Sequence, residues 1–442
     1  MKFINKTVLV LGLGKSGQSA VNLLKKLGCF IFVYDNNVEV VKNFVYYNNF
    51  VHVMDKIDEL TIQNIDLMVV SPGISVFSEE IKIATLLGVK IISELELASY
   101  FVHGKLVAIT GSNGKTTTKE LINKVLTSKY KTFATQGNLN NHIGVPLSIL
   151  SIKKDTEIAI IEMGANHLGE IELLCSIAQP THGLITNIGK AHLEGFGSFN
   201  GVVKAKSELY KYLMENNGTV FINSKNPVLT ELATKFSFSH MVKYNPKLFK
   251  LKFVDTGSSF LSFVLENDGE KLKLNSLLVG NYNVENILAA MSVGGHFGIS
   301  IKDAVKAIAS YQPSNNRSQI VNTPNNTVIL DAYNANPSSM EQAITNFANL
   351  KCDQPKMAIL GDMLELGNYT NEEHKQMALL AKSLIENVTF IGKHFEGEAK
   401  GAMWFANQAE CGHYFKSSPL KGYSILLKGS RGMHLDKLMP FL

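Results

Sequence analysis

The sequence lacks long hydrophobic runs and has few cysteines. No apolar stretch approaches the roughly 20 residues that a membrane-spanning helix needs, and the amino terminus has no signal-peptide pattern. The 4 cysteines are scattered with no C-x-x-C pair, which is typical of free thiols in a reducing compartment. We therefore expect a cytoplasmic protein without stable membrane insertion.

Blocks of basic residues are absent too. The net charge of +5 is spread along 442 residues, which suits small anionic substrates and does not indicate a nucleic acid partner. A chain of this length is expected to form roughly two to four domains.

What the sequence does contain is a glycine loop between a predicted strand and a predicted helix. The run Gly111–Thr118 (GSNGKTTT) follows the apolar stretch Leu106–Ile109. Small residues let backbone N–H groups close on phosphate oxygens, Lys115 supplies positive charge, and a threonine hydroxyl can reach Mg²⁺. The loop is two residues shorter than the usual G-x₄-G-K-[ST] pattern, and a plain turn is the alternative. We expect a nucleoside triphosphate to bind here.

A second glycine-rich turn lies near the amino terminus. Gly12–Gly17 (GLGKSG) follows the strand-like run Val8–Leu11 and opens a helical pattern, and Asp35 ends the next strand. This is the layout of a dinucleotide fingerprint. By itself it leaves open NAD, a UDP-linked substrate or a turn without ligand. A dehydrogenase is disfavoured because no acid–base residues for hydride transfer are visible.

Strands and helices alternate in segments 1–103 and 313–442, which predicts an α/β fold with parallel sheets. Segment 104–312 begins with the glycine loop and becomes β-rich around 240–280. In such sheets, ligands bind at the carboxyl ends of strands. We therefore expect a central cleft shared by three domains.

Several polar residues follow predicted strands. Glu162 ends the apolar run Ile158–Ile161 and is placed to hold Mg²⁺, unless it is only a turn or cap residue. His192 follows another strand and is either a metal ligand, a phosphate contact or a simple loop residue. Lys206 lies on a predicted helix, where a solvated lysine is the default expectation.

Three polar loops follow strands of the last segment. They are Asp331–Pro337 (DAYNANP), Gly361–Gly367 (GDMLELG) and Lys428–Gly432 (KGSRG). The first is either a binding loop or the entry to the next helix.

Together these motifs resemble the Mur ligase family of peptidoglycan synthesis, ATP-dependent enzymes that join an amino acid or dipeptide to a UDP-N-acetylmuramoyl substrate. Residues 104–442 are most similar to the branch that adds D-alanyl-D-alanine. The runs that carry this similarity are Thr110–Glu120, Asn138–Pro146, Glu162–His167, Thr186–Gly197, Asn315–Gln319, Asp331–Met340, Gly361–Gly367 and Lys428–Gly432.

Residues 1–103 depart from that branch. They lack its T-D-S-R-like and K-G-D-x-F-x-A-like runs, whereas Val8–Gly17, Val69–Ile74 and Ser93–Leu97 resemble the UDP-binding domain of the branch that adds D-glutamate. The chain thus resembles a mosaic, or chimera, of two sister enzymes.

The resemblance implies a domain for each substrate. These are a Rossmann-like UDP-substrate domain over 1–103, a P-loop ATPase-like domain over 104–312 and a Rossmann-like dipeptide domain over 313–442. It further implies a monomer that uses ATP and Mg²⁺ and carries a carbamylated Lys206.

The resemblance also implies the roles of individual residues. The expected catalytic residues are Lys115, Glu162, His192, Lys206 and Arg317. The expected ATP-binding residues are Gly111, Asn113, Gly114, Lys115, Thr116, Thr117, Asn283, Asn286, Arg317 and Asp331. The expected UDP-substrate residues are Gly14, Lys15, Ser16, Asp35, Asn36, Gly73, Asn138, Asn141 and His142. The expected dipeptide residues are Asn334, Asn336, Ser430 and Arg431. The expected metal ligands are Thr116, Glu162, His192 and Lys206.

The activity implied is addition of D-alanyl-D-alanine to UDP-N-acetylmuramoyl-tripeptide through an acyl phosphate, with release of ADP. Two alternatives stay open. One is addition of D-glutamate to UDP-N-acetylmuramoyl-L-alanine, since the first domain selects the UDP end. The other is a mosaic that binds both nucleotides without efficient ligation.

Overall fold

The structure is a computed structural model that describes residues 3–46, 50–54, 56–99, 104–254, 260–267, 269–313 and 319–442. The chain divides into two compact units. The first contains Met1–His103, Val145–Lys154 and Ser176–Gln179, and the second contains Gly104–Gly144, Asp155–Cys175 and Pro180–Leu442. Within the described ranges, every helix is too short or too polar to cross a bilayer.

The first unit is built on a parallel sheet with strand order β3-β2-β1-β4-β5. Its strands are β1 (Thr7–Leu11), β2 (Phe30–Tyr34), β3 (Val51–Val53), β4 (Leu67–Val70) and β5 (Lys90–Ser93). Its helices are α1 (Lys15–Lys26), α2 (Val38–Tyr46), α3 (Glu59–Ile62), α4 (Glu79–Leu86) and α5 (Glu94–Ser99). Because β1 lies between β2 and β4, the loop after β1 sits where the strand order reverses, the usual ligand position in such sheets.

A second parallel sheet holds the glycine loop, in the order β11-β10-β9-β6-β8-β7. Its strands are β6 (Lys105–Thr110), β7 (Thr132–Ala134), β8 (Ile158–Glu162), β9 (His182–Ile185), β10 (Thr219–Asn223) and β11 (His240–Tyr244). The helices along this stretch are α6 (Lys115–Leu126), α7 (Gly144–Leu150), α8 (Glu170–Ala178), α9 (Leu193–Phe196), α10 (Phe199–Glu215) and α11 (Pro227–Ala233). Every residue of β8 is buried, as expected of a parallel strand covered on both faces.

The position of β6 decides where the site forms. It lies between β9 and β8, so the carboxyl ends of these three strands meet. The loop that begins at Gly111, the side chain of Glu162 and the loop after Ile185 therefore share one edge of the sheet.

A small antiparallel sheet and two helices follow. The strands are β12 (Lys252–Phe253), β13 (Phe260–Asn267) and β14 (Glu270–Val279), and the helices are α12 (Asn283–His296) and α13 (Ile301–Ala309). Phe263, Leu274 and Ile287 join the hydrophobic core that also contains Val107 and Ile109 of β6. The β-rich region expected around 240–280 contains β11 of the second parallel sheet and the three strands of this one.

The last sheet has the order β15-β16-β20-β17-β18-β19, with β15 antiparallel to β16 and the remaining pairs parallel. Its strands are β15 (Gln319–Asn322), β16 (Thr327–Asp331), β17 (Lys356–Gly361), β18 (Asn387–Ile391), β19 (Met403–Phe405) and β20 (Ser424–Lys428). The helices are α14 (Pro337–Ala348), α15 (Thr370–Leu384) and α16 (Gln408–Ser417), with 3₁₀ turns at Gly367–Tyr369, Glu396–Glu398, Arg431–Met433 and Leu435–Phe441.

The strand order of this sheet brings its polar loops together. Because β20 lies between β16 and β17, the loops that begin at Asp331, Gly361 and Lys428 are neighbours. The first of them ends in a helix start, where the Asn336 side chain accepts the Ser339 N–H at 2.9 Å and the Asn336 N–H donates to Ser339 Oγ at 3.1 Å. This capping box, followed by proline, fixes where α14 begins.

Candidate active site

The glycine loop needs glycine at two positions. Gly111 has φ +141° and Gly114 has φ +76°, both outside the range that other residues usually adopt. A Cβ on Gly111 would lie 2.0 Å from Thr186 Oγ1, and one on Gly114 would lie 2.7 Å from Asn286 Oδ1. At these two positions the loop therefore passes too close to its neighbours for a side chain.

Hydrogen bonds hold the loop in place. The Ser112 and Asn113 N–H groups donate to the Asn187 backbone oxygen and Oδ1, both at 2.9 Å. Lys115 Nζ donates to the Gly111 carbonyl at 2.7 Å, which keeps its charge over the loop. The amino terminus of α6 thus faces a fixed, positively charged concavity, which is suited to phosphate.

Glu162 is buried at this edge and lies among polar groups. Thr116 Oγ1 donates to Glu162 Oε2 and Asn140 Nδ2 donates to Glu162 Oε1, each at 2.9 Å. Lys119 Nζ lies 4.0 Å from the same carboxylate and donates to the Thr135 carbonyl at 2.7 Å. The patterns of the sequence did not single out Asn140 or Lys119, because an asparagine in a loop and a lysine on a helix are ordinary surface residues.

The residues around Glu162 fit Mg²⁺. The carboxylate and the Thr116 hydroxyl are oxygen donors, which this ion prefers, and they lie beside the phosphate loop. Within the part of the chain that the structure describes, no three His, Cys, Asp or Glu residues converge on one point. A magnesium ion here would accordingly share its coordination with phosphate oxygens and water, as is usual for Mg²⁺.

Lys206 is buried, so the expectation of a solvated side chain is wrong. It lies on the inner face of α10, 2% exposed, with Nζ 3.5 Å from the Ala165 carbonyl and 5.3 Å from the centre of the Phe196 ring. Burial, assisted by the charge of Lys115, lowers the pKa of Lys206 to about 7. The lowered pKa favours the neutral, nucleophilic form of this amine.

Asn283 and Asn286, two of the residues expected to bind ATP, connect α12 to α6. Thr118 Oγ1 donates to Asn286 Oδ1 at 3.0 Å, Asn286 Nδ2 donates to Asn283 Oδ1 at 2.8 Å, and Asn283 Nδ2 donates to the Val279 carbonyl at 2.8 Å. Both asparagines are buried. Their amides thus form a chain that supports the phosphate loop from behind.

The three loops of the last sheet are linked to one another. Lys428 is almost fully buried, and its Nζ donates to Asp331 Oδ2 at 2.7 Å. Ser430 Oγ donates to the Ala335 carbonyl at 3.3 Å and accepts the Leu364 N–H at 2.9 Å. These bonds fix the loops as one surface.

That surface contacts loops of the second parallel sheet, which holds the glycine loop. Asn336 Nδ2 donates to Asn113 Oδ1 in the phosphate loop at 2.8 Å. Lys190 Nζ pairs with the buried Glu373 at 2.6 Å. These contacts dock the sheet that contains β16 against the sheet that contains β6.

A cavity of about 470 Å³ opens between these loops. Expected site residues that line it are Asn113, Gly114, Lys115, Thr116, Thr117, Asn138, Asn141, His142, Glu162, His192, Asn283, Asn286, Asp331, Asn334, Asn336 and Arg431. Gly111, Lys206 and Ser430 lie outside the lining. Arg317 lies outside the described residues. Further lining residues that the sequence patterns did not single out include Asn140, Tyr333 and Glu365.

The remaining expected residues lie in the first unit, in loops that follow β1, β2 and β4 or at the start of α1. They are Gly14, Lys15, Ser16, Asp35, Asn36 and Gly73. The Asp35 carboxylate accepts the Leu13 and Asn37 N–H groups at 2.7 and 2.8 Å, so it already shapes the turn. A Cβ on Gly14 would meet nothing within 4 Å, which leaves this part of the turn open.

Family models and known proteins match this chain along most of its length. The matching family models are "Mur ligase MurD-like, N-terminal domain" at residues 6–93, "Mur ligase middle domain" at 109–294 and "Mur ligase, glutamate ligase domain" at 316–423. The chain is 34% identical over 349 residues to UDP-N-acetylmuramoyl-tripeptide--D-alanyl-D-alanine ligase of Bacillus subtilis (strain 168), covering 76% of each protein.

Two solved structures are similar as well. MurF from Acinetobacter baumannii aligns with a TM-score of 0.70 and 27% identity over 87% of this chain and 92% of that one. MurF ligase from Thermotoga maritima, in complex with ADP, aligns with a TM-score of 0.71 and 22% identity over 99% of this chain and 94% of that one. The second likeness shows that the fold is shared along the whole chain.

Proposed function

This chain belongs to the Mur ligase family, with that family's three-domain α/β fold, and from this premise we propose that it adds D-alanyl-D-alanine to a UDP-N-acetylmuramoyl-tripeptide in an ATP-dependent, ADP-forming reaction. The cavity carries the proposal. The phosphate loop and the loops at Asp331 and Lys428 line one space, so a phosphorylated substrate and an incoming amine can meet there. Relatives named for this reaction, from Bacillus subtilis and Escherichia coli, match 76% and 78% of this chain.

In the first step, the terminal carboxylate of the tripeptide attacks the γ-phosphorus of ATP. A carbon-bound oxygen forms a new bond to phosphorus, the bond to the β,γ-bridging oxygen breaks, and ADP leaves. Lys115 and the amino terminus of α6 would hold the phosphates and neutralise the charge that builds up on them. Phosphorylation turns a poor electrophile into an acyl phosphate.

In the second step, the free amine of D-alanyl-D-alanine attacks the acyl carbon. The carbon–oxygen bond to phosphate breaks, inorganic phosphate leaves, and the amine loses a proton. We assign Asn334, Asn336, Ser430 and Arg431 to the dipeptide side. Of these, Asn336 and Ser430 act by fixing loops, since their side chains bond Asn113, Ala335 and Leu364. Docking of the last domain would exclude water from the acyl phosphate.

We propose that Thr116 and Glu162 hold Mg²⁺, which, when bound, would neutralise phosphate charge. We propose His192 as a further metal ligand. The cavity-lining position of all three residues and the oxygen donors of the first two support this assignment.

We propose further that Lys206 reacts with CO₂. The neutral amine attacks the carbon, a nitrogen–carbon bond forms, and one proton leaves, giving an anionic carbamate. The lowered pKa of Lys206 supports this, because only the unprotonated amine reacts. We expect Lys206→Ala to reduce turnover strongly and a small carboxylic acid to restore part of it, measured as ADP release. Full activity of the variant would disprove the carbamate.

We assign residues 1–103 to the UDP substrate, 104–312 to ATP and 313–442 to the dipeptide. We also assign Asn138, Asn141 and His142, which line the cavity, to the UDP substrate. We extend the proposal to a monomer that works in the cytoplasm, where ATP and UDP-linked precursors are available.

One observation favours a second function. The first domain matches a MurD-like family model, and its sequence resembles the UDP-binding domain of the branch that adds D-glutamate. Phosphate release should therefore be measured with ATP and Mg²⁺ for two substrate pairs: the UDP-tripeptide with D-alanyl-D-alanine, and UDP-N-acetylmuramoyl-L-alanine with D-glutamate. Turnover with the first pair alone is the expected result. Turnover with the second pair alone would mean that the first domain dictates the reaction. No turnover with either pair would leave a mosaic that binds without ligating.

A further inference from the structure

Glu365, in the last domain, contacts His192, which lies in the middle domain and is one of the proposed metal ligands. His192 follows β9, whereas Glu365 follows β17 in a different sheet, and both line the cavity. The Nδ1–H of His192 donates to the Glu365 carboxylate, and the Glu194 N–H donates to the Glu365 backbone oxygen at 3.2 Å. One residue thus holds both the imidazole and the start of α9.

The backbone around this contact is unusual. His192 has φ +51° and Glu365 has φ +64°, a left-handed conformation that non-glycine residues seldom adopt. Such residues concentrate at functional sites. Here the conformation places the two side chains opposite each other across the domain boundary.

The contact determines which nitrogen of His192 is available. In a neutral imidazole whose Nδ1–H donates to this carboxylate, Nε2 is the ring nitrogen that carries the lone pair for a ligand. A carboxylate behind a histidine fixes the tautomer, orients the ring and increases its strength as a ligand.

We propose that Glu365 is a positioning residue: it orients the His192 imidazole toward the phosphate end of the cavity, and does so only when the last domain is docked. This rests on the proposed function, because the oriented nitrogen matters only for a nucleotide and its cation. Docking of the dipeptide domain would thereby complete the nucleotide site, so that tight cation binding and closure occur together.

A second pair across the same boundary provides a matched control. Lys190 and Glu373 form an ion pair at 2.6 Å, but neither lines the cavity. Glu373→Gln removes this ion pair without touching His192, and the Asn336–Asn113 hydrogen bond still joins the same two sheets. Glu365→Gln removes the charge behind the imidazole at nearly constant shape.

The test is the affinity for Mn²⁺ in the presence of ADP, followed by electron paramagnetic resonance on the full chain. We expect Glu365→Gln to weaken Mn²⁺ binding about 10–100-fold, the usual loss for a residue behind a metal ligand. In a His192→Ala chain, the same substitution should cause no further loss, because its effect passes through the imidazole. Glu373→Gln should change the affinity less than about twofold, because Glu373 contacts Lys190 and does not line the cavity.

Several results would overturn the inference. They are unchanged Mn²⁺ affinity in Glu365→Gln, equal losses in Glu365→Gln and Glu373→Gln, unchanged affinity in His192→Ala, or full additivity in the double variant. The experiment uses no peptide substrate. Failure of the proposed ligation would appear in turnover with the substrate pairs, and failure of this inference in Mn²⁺ binding.

Discussion

The glycine at position 114 permits a prediction with an internal control. Gly114 and Gly169 share a left-handed backbone, with φ +76° and +83°, but differ in the space around them. A Cβ on Gly114 would lie 2.7 Å from Asn286 Oδ1, whereas one on Gly169 would meet nothing within 4 Å. Alanine at either position destabilises the backbone by the same amount, and only Gly114→Ala also displaces a neighbour, Asn286.

The magnitudes follow from these contacts. A left-handed alanine costs about 1–2 kcal/mol, so Gly169→Ala should lose about that much unfolding free energy. Gly114→Ala should lose about 1–3 kcal/mol more, because Asn286 is buried and its amide is bonded to Thr118 and Asn283. Shifting the loop should also weaken ADP binding about tenfold or more, which corresponds to roughly 1.4 kcal/mol.

The assay is denaturant unfolding of both variants, with isothermal titration of ADP in the presence of Mg²⁺. We expect Gly169→Ala to bind ADP like the parent chain, since Gly169 does not line the cavity. Equal stability losses, or equal ADP affinities, would refute the claim that close contact between the loop and α12 shapes the phosphate site.

Three further predictions concern charge and the first domain. The pKa of Lys206 is lowered from 10.5 to about 7, so between these pH values the unfolded chain binds more protons and the stability of the folded chain rises with pH. Lys206→Met should therefore stabilise the chain more at pH 6 than at pH 9 in CO₂-free buffer. Equal increases in melting temperature at the two pH values, measured by calorimetry, would contradict this. Lys115→Ala and Glu162→Ala should each lower ADP release by about a hundredfold or more, and near-normal release would remove them from the site. A side chain at Gly14 has open space around it, so we expect Gly14→Asp to raise KM for the UDP substrate and to leave ATP affinity unchanged. An unaltered KM would mean that this turn of the first domain does not bind the UDP substrate.

Local patterns were sufficient for most of the fold that positions the site. The strand β8 is a continuous apolar run that ends in Glu162, and such a run predicts a buried parallel strand without tertiary information. The strand β19 and the helix α16 were not predicted. Met403–Phe405 has only 3 residues, and Gln408–Ser417 has a weakly segregated apolar face, so neither gives a clear period.

In the candidate site, too, features formed by consecutive residues were predictable, and features formed by distant residues were not. The phosphate loop was predictable because the residues that form it, Gly111–Thr118, are consecutive in the sequence. Glu365 was not, because its partner His192 lies 173 positions away and only docking of two sheets joins them. The burial of Lys206 was likewise hidden, since a lysine within a mixed helical pattern gives no sign of which helix face is covered.

The central claim is that ATP activates the carboxylate of the UDP-tripeptide as an acyl phosphate, which D-alanyl-D-alanine then attacks. The most direct test uses UDP-N-acetylmuramoyl-tripeptide labelled with ¹⁸O in its terminal carboxylate, together with ATP, Mg²⁺ and D-alanyl-D-alanine, and mass spectrometry of the phosphate released. The account predicts one ¹⁸O atom transferred to each phosphate and a product extended by the dipeptide. Unlabelled phosphate, or no extended product, would contradict it.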